Sequence, residues 1–198
     1  NDRLNIEDVD KIVNYFTNDL KMQAYIMLAL ESLGRPQEIC YRRIKDVEIF
    51  ENYAKILVSD HGKEGTKLLQ CIDSFPYLIR WFEKHPYKKN PEAFLFFSKN
   101  KQHIPLRPEN INKKLRSACK DLMIDKRITG YSLKRNGITF SRLRGDTAMA
   151  IQHRAGWPST KQLKTYDLST QEDSFKQELA KRGLIKTDEY KDLIPKNK

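Results

Sequence analysis

In this 198-residue chain the stretch Tyr131–Tyr166 holds no cluster of carboxylates, and no Cys/His set at metal-ligand spacing stands near it. Two-metal hydrolysis, which needs clustered Asp and Glu, is thereby excluded, and neither a metal nor a cofactor is expected. Cys40, Cys71 and Cys119 are odd in number and widely separated, which excludes a disulfide framework and a zinc site. They are expected to be reduced core residues. No apolar run approaches the roughly 20 residues that cross a bilayer, and no signal peptide opens the chain. A soluble, cytoplasmic protein without a membrane partner is expected. Internal repeats, low-complexity tracts and linkers are missing too, so the chain reads as one domain.

What is abundant is positive charge. Lys and Arg number 37 against 26 Asp and Glu, a net charge of +11. A protein so basic meets a polyanion, and nucleic acid is the commonest. Apolar content of 39%, with nine Tyr and nine Phe, supports a packed core rather than disorder.

The pattern is mainly helical, with a small sheet. Helical spacing runs from Ile6 to Leu20 with Asn5 as N-cap, from Met22 to Leu33, and from Pro36 to about Ile44. Gly34 reads as the C-terminal cap of the second helix, and Pro36 as the first residue of the third. Alternation then predicts strands at Glu48–Phe50, Tyr53–Val58 and Thr66–Ile72, an antiparallel sheet of about three strands. Residues 60–65 form the loop before the third strand and carry Lys63. Helices are predicted at Phe75–Lys84, Pro108–Met123, Ser132–Arg144, Thr147–Ala155, Thr160–Tyr166 and Phe175–Leu184, with a short apolar extended run at Ala93–Phe97. One face of the Pro108 helix carries Lys113, Lys114, Arg116 and Lys120, fit to lie along phosphates.

The segment Tyr131–Tyr166 concentrates cationic, aromatic and phenolic groups. It suits a substrate that brings the negative charge itself, such as a phosphodiester, whose transition state spreads charge over oxygens that Arg, Lys and ring N–H groups hold without a metal.

Gly34-Arg35-Pro36-Gln37-Glu38, a hairpin lysine, Ala155-Gly156-Trp157 and Tyr166 occur in an order and spacing that resembles the catalytic domain of tyrosine recombinases (phage integrases), with archaeal and viral integrases nearest in character. The resemblance spans about Asn5 to Leu179. It implies an α+β, mainly helical catalytic fold over residues 1–185, a C-terminal tail over 186–198, and an N-terminal DNA-binding domain outside a chain that opens on Asn1 rather than Met. It also implies site-specific cleavage and rejoining of double-stranded DNA through a 3′-phosphotyrosine, as in DNA integration by a virus or mobile element. The protein would be monomeric when free and tetrameric on DNA.

Carried over by position, Arg35 holds a non-bridging oxygen, Lys63 protonates the departing 5′ oxygen and Tyr166 is the nucleophile. Lys67 competes with Lys63. Glu38 orients neighbouring cations, and Asp46 ends the third helix. Trp157 stands where the family has His or Trp. The family's His-x-x-Arg becomes Tyr131-Ser132-Leu133-Lys134, in which lysine supplies charge but no bidentate fork, and tyrosine is a poor proton acceptor. Arg135 is the alternative to Lys134. The last helix is expected to dock on a neighbouring protomer. A type IB topoisomerase-like enzyme and an inactive, recombinase-derived DNA-binding module remain the competing functions.

Overall fold

The computed structural model describes residues 2–59, 66–99 and 101–185. The expected hairpin lysine, Lys63, and the 186–198 tail lie outside the described residues.

The core forms around α2 (Leu20–Ser32), in which every residue from Met22 onward is buried. A helix apolar on all sides can only be central. Around it pack α1 (Ile6–Tyr15), α4 (Phe75–Lys84), α6 (Gly130–Arg144) and β3 (Lys67–Cys71). Asn5 caps α1 and shares a capping box with Asp8. The apolar spacing had suggested a helix reaching Leu20; instead α1 stops at Tyr15, because Asp19 turns inward to accept from Met22 N at 3.1 Å and starts α2 anew.

At the other end of α2 the left-handed residue is Leu33 (φ 56°), not Gly34. Leu33 is fully buried against Ile138, Ile151, Ala155 and Trp157, so packing outweighs the strain of its backbone. Gly34 serves space instead: a Cβ there would lie 2.9 Å from Ile39 Cγ1. Pro36 opens α3 (Pro36–Cys40), which is shorter than expected. The chain leaves it to pair with the 93–95 segment, Ile44 N donating to Ala93 O and Leu95 N to Arg42 O. A 3-10 turn over Ile44–Asp46 follows, with Asp46 accepting from Arg43 N at 2.8 Å.

β1 (Val47–Ile49), β2 (Ala54–Val58) and β3 form an antiparallel sheet in sequence order, pairing Leu57 with Leu68 and Val58 with Lys67. A second, two-stranded ladder, β4 (Phe97–Ser98) with β5 (Lys101–Pro105), was not expected beyond the Ala93–Phe97 run. Then come α5 (Pro108–Asp121), α6, α7 (Ala148–Ala155), a 3-10 turn at Thr160–Gln162, α8 (Leu163–Tyr166) and α9 (Gln171–Lys181). All three cysteines are free and buried. Among the described residues no helix is long and apolar enough to cross a membrane.

α6 is fixed with particular care. Thr129 caps it, Asn112 Oδ1 of α5 accepts from Gly130 N at 2.8 Å, and Gly145 (φ 100°) ends it. A Cβ at Gly137 would sit 2.1 Å from Leu30 O, so α6 and α2 touch backbone to backbone. The N-terminal segment clasps the same helix, Leu4 N donating to Asn136 Oδ1 at 2.7 Å and Asn136 Nδ2 to Asp2 O at 2.7 Å.

Candidate active site

The site assembles from α3, β3, α6 and the chain after α7. Arg35 is the N-cap of α3, where its backbone N donates to Glu38 Oε2 at 2.7 Å and its Nη1 to Glu38 Oε1 at 3.1 Å. Glu38 also receives Lys67 Nζ at 2.7 Å. Burial alone would raise the Glu38 pKa; Lys67 and Arg35 outweigh it and hold the carboxyl below its usual range.

Lys67 points inward because it opens β3 on the face shared by Leu69 and Cys71. Its Nζ reaches on to Ala155 O at 3.1 Å, across Gly156. Gly156 ends α7 with φ 71°, and a Cβ there would meet Lys67 Cδ at 2.8 Å. Lys67 therefore straps α3 to the corner that leads into Trp157. This role is legible in the sequence once the strand's two-residue period is applied to a charged residue.

Lys134 lies one turn into α6 with none of its surface exposed, and its Nζ has no hydrogen-bond acceptor. The amine sits over two rings, 5.6 Å from the Trp157 centroid and 5.5 Å from that of Tyr166. Burial, then the Lys67 and Arg35 charges, bring its pKa down to about 7, with Glu38 opposing them. Trp157 is buried, and its Nε1 likewise lacks an acceptor. The Trp157 and Tyr166 rings lie 5.1 Å apart at 38°. Two side chains whose donors lack acceptors thus adjoin one phenol.

Of the other expected residues, Tyr131 is half exposed at the start of α6. Arg135 turns away from the site, its Nη1 donating to Asp2 Oδ2 at 3.0 Å. His153 is exposed on α7. Tyr166 ends α8, and the residues beyond it are pinned to α6: Leu168 N donates to Thr139 Oγ1 at 2.8 Å, and Gln177 Nε2 to Arg142 O at 2.8 Å and Leu143 O at 2.6 Å. Arg3 closes this clasp with a bidentate pair to Asp173, 2.8 Å on each arm. α9 thus rests on its own chain through polar contacts, while Phe175 and Leu184 remain exposed. Among the described residues no group of three His, Cys, Asp or Glu is placed to hold a metal.

The sequence profile of the Phage integrase family matches residues 2–172. The chain belongs to that family. Several solved recombinase and integrase structures share its fold. A XerA recombinase superposes with a TM-score of 0.77 at 17% identity, covering 91% of this chain and 64% of the other. A XerH site-specific recombinase bound to a palindromic difH substrate, in a post-cleavage complex, gives 0.70 at 17% identity over 93% and 52%. The Tn1549 transposon integrase in complex with a circular intermediate DNA gives 0.69 at 17% over 91% and 65%. This chain therefore spans less than two thirds of the length of each of the three. No curated protein matches it in sequence.

Proposed function

We propose that this chain is the catalytic part of a site-specific DNA recombinase that cleaves and rejoins strands through a covalent 3′-phosphotyrosine at Tyr166. The observation that carries the reading is the pair of buried donors without acceptors, Lys134 Nζ and Trp157 Nε1, whose side chains both pack beside the Tyr166 ring. Buried donors left unpaired are costly, and such a pair is explained by a ligand that brings acceptors. A phosphodiester offers two non-bridging oxygens.

On this reading Arg35, Lys134 and Trp157 hold the phosphate. The Tyr166 oxygen attacks phosphorus, and the 5′ oxygen leaves with a proton from Lys63. The ester energy stays in the phosphotyrosine, so a 5′-hydroxyl of the same or another duplex reverses the step without ATP. Double-stranded DNA is the substrate, and further protomers supply the second duplex. The DNA-bound XerH and Tn1549 relatives support the choice of DNA.

The test uses a pool of nicked suicide duplexes carrying a randomised stretch. Wild type should give an SDS-resistant complex enriched in a subset of sequences, and Tyr166→Phe should bind equally and give none. Complexes formed without sequence enrichment, together with relaxation of supercoiled plasmid, would favour a topoisomerase. Failure of wild type to form any complex would sink the reading.

A further inference from the structure

Attack by Tyr166 requires a proton acceptor, since the hydroxyl proton must leave as Oη bonds to phosphorus. Among the described residues around it, the obvious acceptors are spent or unsuited. Glu38 already accepts from Arg35 N, Arg35 Nη1 and Lys67 Nζ. The Trp157 indole is a donor only, Tyr131 is itself a phenol, and His153 stands exposed on α7. What remains is an amine, buried and without any hydrogen-bond partner, that faces the Tyr166 ring at 5.5 Å.

We propose that Lys134 accepts the Tyr166 hydroxyl proton, entering the cleavage step as a neutral amine and leaving it as the ammonium that holds a non-bridging oxygen. This rests on the phosphotyrosine reading above. The groups facing Lys134 are Arg35 and Glu38 from α3, Lys67 from β3, Trp157 beyond α7 and Tyr166 from α8. Burial and the two flanking cations place its midpoint at about 7, so the free amine is well populated at neutral pH. Arginine at this position would stay charged throughout and have no lone pair to offer.

The step balances. The Tyr166 Oη–H bond breaks and its proton passes to Lys134 Nζ, while Oη bonds to phosphorus. The P–O5′ bond breaks with its electron pair on O5′, which takes a proton from Lys63. In rejoining, the incoming 5′-hydroxyl attacks and Oη recovers its proton from the Lys134 ammonium. The positive charge thus appears beside the phosphate as negative charge builds on it, which favours the transition state over the ground state.

The experiment is single-turnover cleavage at sub-saturating DNA, from pH 5.5 to 9, with wild type and Lys134→Arg. The duplex carries a 5′-bridging phosphorothiolate, whose sulfur leaves without a proton donor and so isolates the Tyr166 leg. DNA affinity is measured at each pH to normalise binding, and thermal melts verify folding of the variant. Wild-type cleavage should climb about tenfold per pH unit below a midpoint near 7 and then level off. Lys134→Arg should lose that climb and be about 100-fold slower at pH 8. A wild-type rate that falls as pH rises through 7 would show that Lys134 acts as an ammonium from the outset and would overturn the proposal. So would a Lys134→Arg variant with the wild-type rate and profile. In both cases the covalent complex still forms and the phosphotyrosine reading stands. A variant that fails to fold leaves the sign of the wild-type pH dependence as the deciding measurement.

Discussion

Lys67 Nζ lies 2.7 Å from Glu38 Oε2 and 3.1 Å from the carbonyl oxygen of Ala155, so a single buried ammonium joins the Arg35 end of the site to its Trp157 end. Nothing else described in the site touches both halves so directly. Its removal should therefore be felt in stability and in chemistry together.

Lys67→Met is expected to cost about 3–5 kcal/mol of unfolding free energy, since it leaves Glu38 charged and buried with Arg35 alone. Glu38→Gln should cost a similar amount by stranding Lys67. The double variant should lose less than the sum of the two by at least about 1 kcal/mol. Urea melts of the four proteins measure this coupling; strict additivity would mean that the pair is not a unit. Covalent complex formation by Lys67→Met should fall with it, because the Gly156 corner loses its anchor.

Lys134 titrates at about 7 in the folded chain. Unfolded, a lysine titrates near 10.4. Between these values the unfolded chain binds the extra proton, so stability from this residue rises with pH across that window and the buried charge weighs most below it. Lys134→Met should accordingly raise the unfolding free energy by about 1–3 kcal/mol at pH 6. The gain should shrink toward pH 9 while activity is lost. Denaturant midpoints at the two pH values decide the matter: a gain of equal size at both would refute it.

DNA binding by a chain of net charge +11 should be steeply salt-dependent. On α5, Lys113, Arg116 and Lys120 are exposed, whereas Lys114 is held by Asp19 at 2.5 Å. Replacing any of the first three by Ala should lower the slope of log affinity against log salt by about 1. Lys114→Ala should change it less. Equal slopes for all four variants and wild type would remove α5 from the DNA interface.

The sequence made some elements readable and concealed others for physical reasons. α6 is legible because Gly145 marks its end, and the structure differs only in starting it at Gly130. α1 was read too long because apolar spacing continues past Tyr15, whereas the stop is set by Asp19 capping the following helix. β5 went unseen because a five-residue strand ending in Pro105 carries little alternation. In the candidate site, motif spacing brought forward Arg35, Lys134, Trp157 and Tyr166, which the fold gathers together. Arg135 was separable from Lys134 only by knowing where Asp2 lies. Lys67 competes with Lys63 in the sequence but stands in the strand rather than in the loop after Gly62, and its register with Leu69 and Cys71 turns it inward.

The 2.8 Å approach between the Lys67 Cδ and the missing Cβ of Gly156 joins two positions 89 apart in sequence. A side chain at 156 would have to displace the Lys67 stem and also adopt a backbone at φ 71°. Glycine is thus held at 156 twice over, by the Lys67 stem and by a left-handed backbone, and shortening residue 67 would relieve only the first constraint while cutting the tie between the two halves of the site.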